Sequence, residues 1–146
     1  MILTGQETVH APNHNVWRIF MDTDALARIV PFVSRLEKID EENYQSIFEV
    51  KVGPVRGSFT GSFKMIDVVE PNTFKLVVQQ NSKIGNANVV VTLNLNAPSE
   101  AQTVVAFNGD VKLSGTLATM GGRVLTPIAN MLAKQFFAGL AKEVAA

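Results

Sequence analysis

Residues 116–141 read as helix and carry only two charges, Arg123 and Lys134. A helix this apolar must bury most of its circumference against something greasy. The rest of the chain reads mostly as strands. The helix therefore covers a sheet, a ligand held against that sheet, a partner or a membrane. Gly121, Gly122, Pro127 and the two charges speak against a membrane span. No window reaches the roughly 20 near-uninterrupted apolar residues that a span needs.

Upstream, a first strand is expected over residues 3–10. Ala11-Pro12-Asn13 opens a helix, with Asn13 as its cap and Val16, Trp17 and Phe20 at helical spacing. Asp22-Thr23-Asp24 ends that helix and caps a second one over residues 25–29, which Pro31 stops. Strands are expected at 33–39, 44–52, 59–69, 73–80, 86–96 and 102–113. Between them lie Asp40-Glu41-Glu42-Asn43, Gly53-Pro54, Glu70-Pro71-Asn72, Lys83-Ile84-Gly85 and Ala97-Pro98-Ser99-Glu100. Turn clusters so regularly spaced mark an antiparallel meander. The 146 residues make one domain, large enough to bury a core without disulfides or a structural metal. The expected class is α+β: a curved antiparallel seven-stranded sheet around a long C-terminal helix, with two short helices after strand 1.

Alternation sets the inward faces. Phe48, Val50 and Val52 alternate with Glu49 and Lys51, and Phe59, Gly61, Phe63 and Met65 alternate with Thr60, Ser62 and Lys64. Phe74, Leu76 and Val78 continue the apolar face. Ala87, Val89, Val91, Leu93 and Leu95 follow on the next strand, then Val105, Phe107, Gly109, Val111 and Leu113. On the closing helix, Leu117, Gly121, Val124, Ile128, Met131, Leu132 and Gln135 share the side that would meet the sheet. Phe137 falls off that stripe and, if exposed, offers a patch for a second copy or a partner.

The 13 basic and 13 acidic residues cancel, which removes any electrostatic attraction to nucleic acid. The chain has no cysteine. Thiol catalysis, disulfides and thiolate metal sites are thereby excluded. Met1-Ile2-Leu3 runs straight into polar Thr4-Gly5-Gln6-Glu7 without a signal-peptide pattern, so a cytoplasmic domain is expected. His10 ends a strand and His14 begins a helix, a poor arrangement for a metal pair. Asp22 and Asp24 read as caps, and Asp67 and Glu70 as sheet rim. Gly53-Pro54-Val55-Arg56-Gly57 lacks the ending of a phosphate-binding loop and reads as a hairpin. No serine sits in a nucleophile elbow. Tyr44, the only tyrosine, starts a hairpin, so the inward faces offer almost no group for acid–base work.

This pattern resembles the helix-grip fold of the START and birch-pollen-allergen-like (SRPBCC) superfamily. Within it, the chain resembles the CoxG family associated with carbon monoxide dehydrogenase. The resemblance rests on Ala11-Pro12 with Val16-Trp17 and Asp22, then Pro31, then the run Lys51-Val52-Gly53-Pro54-Val55-Arg56-Gly57-Ser58-Phe59-Thr60-Gly61. The run from Gly109 to Ala118, Gly121-Gly122-Arg123 and Phe136-Phe137 complete it. Members commonly have Pro-Gly where this chain has Pro31-Phe32. The family's membrane-attaching tail has no counterpart within these 146 residues. What the resemblance implies is a domain with an internal apolar cavity for a lipid-like or quinone-like molecule.

A sheet bent around a helix touches it at the ends and leaves room in the middle. Gly61, Ala87 and Gly109 would withdraw side-chain volume there, leaving a site of the class that holds roughly 300–1,000 Å³. Alternatively, the same residues fill a solid core and the glycines mark bulges. The expected ligand-binding residues are Phe20 and Phe32 near one end. Val50, Phe59, Gly61, Phe63, Phe74, Val78, Val89, Val91, Phe107 and Val111 join them from the strands, and Val124, Ile128, Met131 and Leu132 from the last helix. Phe107→Trp or Gly61→Phe is expected to fill the space with the fold intact. Arg56, Gln79, Gln80 and Asn81 are candidate polar contacts near the mouth, and Phe32 is a gate, an interfacial anchor or cap packing. The expected function is non-catalytic binding of a hydrophobic small molecule, without cofactor or metal, as an accessory of an oxidoreductase. Peripheral membrane contact and a homodimer are compatible with it. The alternatives are a cyclase- or hydratase-like enzyme and a docking module.

Overall fold

The computed structural model describes residues 1–145. Among them, seven strands and four helices follow in chain order: β1 (Ile2–Val9), α1 (Asn13–Phe20), α2 (Thr23–Ile29), β2 (Val33–Lys38), β3 (Asn43–Val52), β4 (Val55–Val69), β5 (Thr73–Ser82), β6 (Gly85–Ser99), β7 (Gln102–Leu113), α3 (Gly115–Met120) and α4 (Gly122–Ala145). The strands form one antiparallel sheet in the order β1-β7-β6-β5-β4-β3-β2. The first strand pairs with the last, Ile2 opposite Asp110 through Val9 opposite Thr103. The helices α1 and α2 carry the chain from one sheet edge to the other. This is the α+β helix-grip arrangement that the alternation and the closing helix lead one to expect.

The β3–β4 hairpin is tighter than the sequence implies. Val52 pairs directly with Val55, so Gly53-Pro54 is a two-residue turn, with Gly53 at φ +55°. Pairing continues through Arg56, Gly57 and Ser58, and β4 starts four residues before the expected position. The α1 cap also differs. Asn13 lies inside the helix, no side chain caps it, and Pro12 is the capping residue. The Pro12 carbonyl instead accepts from the Asn15 and Val16 amides at 3.1 and 3.3 Å. Asp22 does cap α2, accepting from the Asp24 and Ala25 amides at 3.0 and 3.2 Å.

The expected single closing helix is two. Gly121 leaves the helical region at φ +76°, ψ 168°, a conformation that glycine adopts without a Cβ penalty. Because α4 restarts at Gly122, its inward stripe is rotated relative to an unbroken helix. Leu125 and Leu140 are buried, Phe136 and Phe137 pack on the core, and Val124 is 37% exposed. Pro127 lies inside α4, close to its start.

One core cluster joins Val16, Trp17 and Phe20 of α1, Leu26 and Ile29 of α2 and Leu140 of α4 to Tyr44, Met65, Phe74, Leu93, Leu95 and Val105 of the sheet. A second, smaller one joins Val55 and Phe59 to Leu117 and Leu125, with Val50 and Ile128 packed on it. The helices α2 and α4 approach closely at Gly139, where a Cβ would lie 3.0 Å from the Ile29 Cβ. Arg28 of α2 and Glu143 of α4 form an ion pair across the same contact.

Candidate functional site

The inner face of the sheet and the closing helix do not meet everywhere. A cavity of about 310 Å³ lies between them, at the small end of the range for small-molecule sites. Phe20, Leu26 and Val30 line it from the helical segment between β1 and β2, and Val33 and Leu36 from β2. Phe48 comes from β3, Phe63 and Met65 from β4, and Phe74, Leu76, Val78 and Gln80 from β5. Val91, Leu93 and Phe107 complete the sheet side, with Ala133, Phe136 and Phe137 on α4. A depression of about 480 Å³ on the sheet runs along Arg35, Glu37, Gln45 and Asn81. Its charged, exposed lining is that of a solvated surface.

Aromatic rings frame the cavity. Phe20 meets Phe74 with centroids 5.3 Å apart and Phe136 at 5.9 Å. Phe136 meets Phe137 edge-on at 5.4 Å, and Phe137 lies over Phe107 at 5.9 Å. Tyr44 stacks flat on Phe63 at 4.6 Å from beneath the lining. Phe107 is itself held from the far side by Gly5, its partner in the β1–β7 ladder. A Cβ at Gly5 would stand 2.8 Å from the Phe107 ring, so the ring covers the glycine.

Gln80 is the one polar side chain in the lining. It is 6% exposed, and its Nε2 donates to Ser46 Oγ at 2.9 Å. Its Oε1 is buried and has no hydrogen-bond partner. Ser46 pairs with Gly61, and Gly61 with Gln80, in successive ladders. The three form one row across β3, β4 and β5. With no side chain at Gly61, the Gln80 amide reaches over β4 to Ser46. No lining residue has a titratable side chain.

Of the residues expected at the site, Phe20, Phe63, Phe74, Val78, Val91 and Phe107 line the cavity. The others do not. Val50, Phe59 and Ile128 belong to the second core cluster, because the break at Gly121 brings Leu117 and Leu125 down onto that end of the sheet. Val89 and Val111 face each other in the β6–β7 ladder, away from the lining. The rotated stripe of α4 takes Val124 to the surface and leaves Met131 and Leu132 half-buried outside the cavity. Phe32 sits in the α2–β2 loop at φ +62° and is not in the lining.

Gly61 makes no room. A Cβ there would lie 1.9 Å from the Gln79 carbonyl oxygen, so the glycine permits close approach of two backbones. The expectation that Gly61→Phe would fill the space with the fold intact is therefore overturned. Phe137, expected to be an exposed patch, lines the cavity instead. Of the expected polar contacts only Gln80 takes part, since Arg56, Gln79 and Asn81 are exposed. Four lining residues escape the sequence pattern altogether: Leu26, Val30, Val33 and Leu36 lie on a short helix, its exit and an edge strand, which carry little periodicity. Phe48, Met65, Leu76 and Leu93 have inward parity, but nothing in the alternation marks them as lining.

Comparison with known proteins agrees with this geometry. The CoxG (carbon monoxide dehydrogenase) family model matches residues 5–145. A conserved protein from Geobacillus kaustophilus superposes with TM-score 0.96 at 23% identity, over 99% of this chain and 95% of that one. A START superfamily protein from Mycobacterium smegmatis gives TM-score 0.77 at 11% identity, over 99% and 97%. The Zhui aromatase/cyclase from Streptomyces sp. R1128 gives 0.73 at 13% identity, over 99% and 93%. Likeness at these identities shows a shared fold. No curated protein sequence matches the chain. The family model spans all but the first few residues of the chain, which belongs to the CoxG family of carbon monoxide dehydrogenase subunits.

Proposed function

We propose that this domain binds a hydrophobic small molecule, lipid-like or quinone-like, in the cavity between sheet and α4, without catalysing a reaction on it. One observation carries the reading: a space of about 310 Å³ whose lining is apolar except for Gln80. Burial of apolar surface would supply the affinity, at about 25 cal/mol per Å² removed from water. Proton transfer needs a titratable group within hydrogen-bond reach of the substrate, and the lining has none. That favours a carrier over a cyclase-like enzyme. Family membership supports a role beside a carbon monoxide dehydrogenase-type oxidoreductase, its partner in this proposal, in the cytoplasm. Among the described residues no helix is long and apolar enough to cross a membrane.

The experiment is calorimetric titration with a short-chain quinone and with an alkylphenol, beside thermal unfolding. Ligand at a hundred times Kd should add about 2.7 kcal/mol, raising Tm by roughly 5–10 °C. Ala133→Leu puts a larger side chain into the lining and should abolish the shift while the protein still unfolds cooperatively. No binding of either compound, or equal binding by the variant, contradicts the proposal.

A further inference from the structure

The Gln80 amide is satisfied at one end only. Ser46 Oγ accepts from Nε2, which fixes the side chain across Gly61, and Oε1 is left without a partner in the dry interior. A buried carbonyl oxygen without a donor is unfavourable, because it has given up its water and gained nothing. The same side chain borders the cavity. A polar side chain placed there without need would be replaced by Leu or Met at no cost to packing.

We infer that the cavity takes an apolar molecule bearing a hydroxyl group, which donates to Gln80 Oε1 while the apolar body lies among Phe20, Phe74, Phe107, Phe136 and Phe137. This rests on the proposed binding role and narrows it. A molecule of pure hydrocarbon leaves Oε1 unpaired. One whose polar end only accepts, such as an ether, sets two acceptors against each other. A hydroxyl removes the deficit, so selectivity arises in the apolar pocket from one hydrogen bond made where water cannot compete.

The test compares para-butylphenol with its methyl ether, para-butylanisole, and with butylbenzene, by calorimetry on the intact protein. The wild type should bind the phenol about tenfold more tightly than the ether. Gln80→Leu should erase that preference while holding the ether at near wild-type affinity. Gln80→Met, closer in length, repeats the measurement should Leu disturb the sheet. Equal wild-type affinities for phenol and ether overturn the inference and leave the binding role standing, as does a preference that survives both substitutions. Failure of all three compounds to bind the wild type overturns both.

Discussion

Phe107 of β7 and Phe137 of α4 face each other with ring centroids 5.9 Å apart and planes 29° from parallel. The pair joins the floor of the cavity to its roof. Replacing Phe137 with Ala removes the ring from a half-buried position, so the cost should sit near the low end for such truncations, about 2–3 kcal/mol. Urea unfolding should show that loss. The enlarged cavity should accept a bulkier alkylphenol more tightly than the wild type does.

Gly61 is the position where the sheet tolerates least. A single added methyl would overlap the Gln79 carbonyl oxygen. Gly61→Ala is expected to cost more than about 3 kcal/mol, beyond the usual range for a point change. Gly109→Ala serves as the control. Its Cβ would meet Val91 at 3.6 Å, an ordinary contact, and its midpoint in urea should stay close to wild type.

Phe32 holds a left-handed backbone conformation, φ +62°, that is costly for a bulky residue. Its carbonyl accepts from the Glu49 amide at 3.0 Å, which pins the loop to β3. Two truncations separate ring from backbone. Both Phe32→Ala and Phe32→Gly remove the ring, and only Gly relieves the backbone. The Gly variant should be the more stable of the two by about 1 kcal/mol, measured by chemical denaturation.

The α2–α4 contact carries a pH dependence. The hydrogen bond from Arg28 holds the Glu143 carboxyl below its ordinary value of 4.5, and the Arg28 guanidinium is raised in turn. A carboxylate depressed in the folded state contributes stability above its unfolded pKa and loses it as pH falls through the folded value. The contribution should therefore be intact at neutral pH and fade below pH 4.5. Glu143→Gln should flatten that part of a Tm-against-pH curve, and the effect should shrink in high salt. An unchanged acid limb would contradict it.

Alternation along the strands reveals which face of each strand turns inward, and nearly all of those assignments hold. It carries no information on depth along the strand. Phe59 and Val50 have the same parity as Phe63 and Phe48, yet the first two pack into a solid end and the others border a void. That difference depends on where Leu117 and Leu125 land, hence on the helix break at Gly121. A continuous helix would carry the phase of Leu117 through to Phe137 and put the ring on the wrong side. Gln80 is legible in the sequence in hindsight. It has the parity of Phe74, Leu76 and Val78, and a glutamine continuing an inward apolar row marks a buried polar group. Its neighbours Gln79 and Asn81 disguise it as the polar end of a strand. No pattern in the sequence could show that Gly61 separates Ser46 from Gln80, because that row exists only once three strands are in register.

The central claim is that the space between sheet and α4 is apolar and can be occupied. Xenon under pressure tests it most directly, being an apolar atom with no hydrogen-bonding capacity that enters dry cavities. A crystal equilibrated with the gas should show xenon density bounded by Phe74, Phe107, Phe136 and Phe137. Density confined to the protein surface, with those four rings in contact and no space between them, would contradict the account.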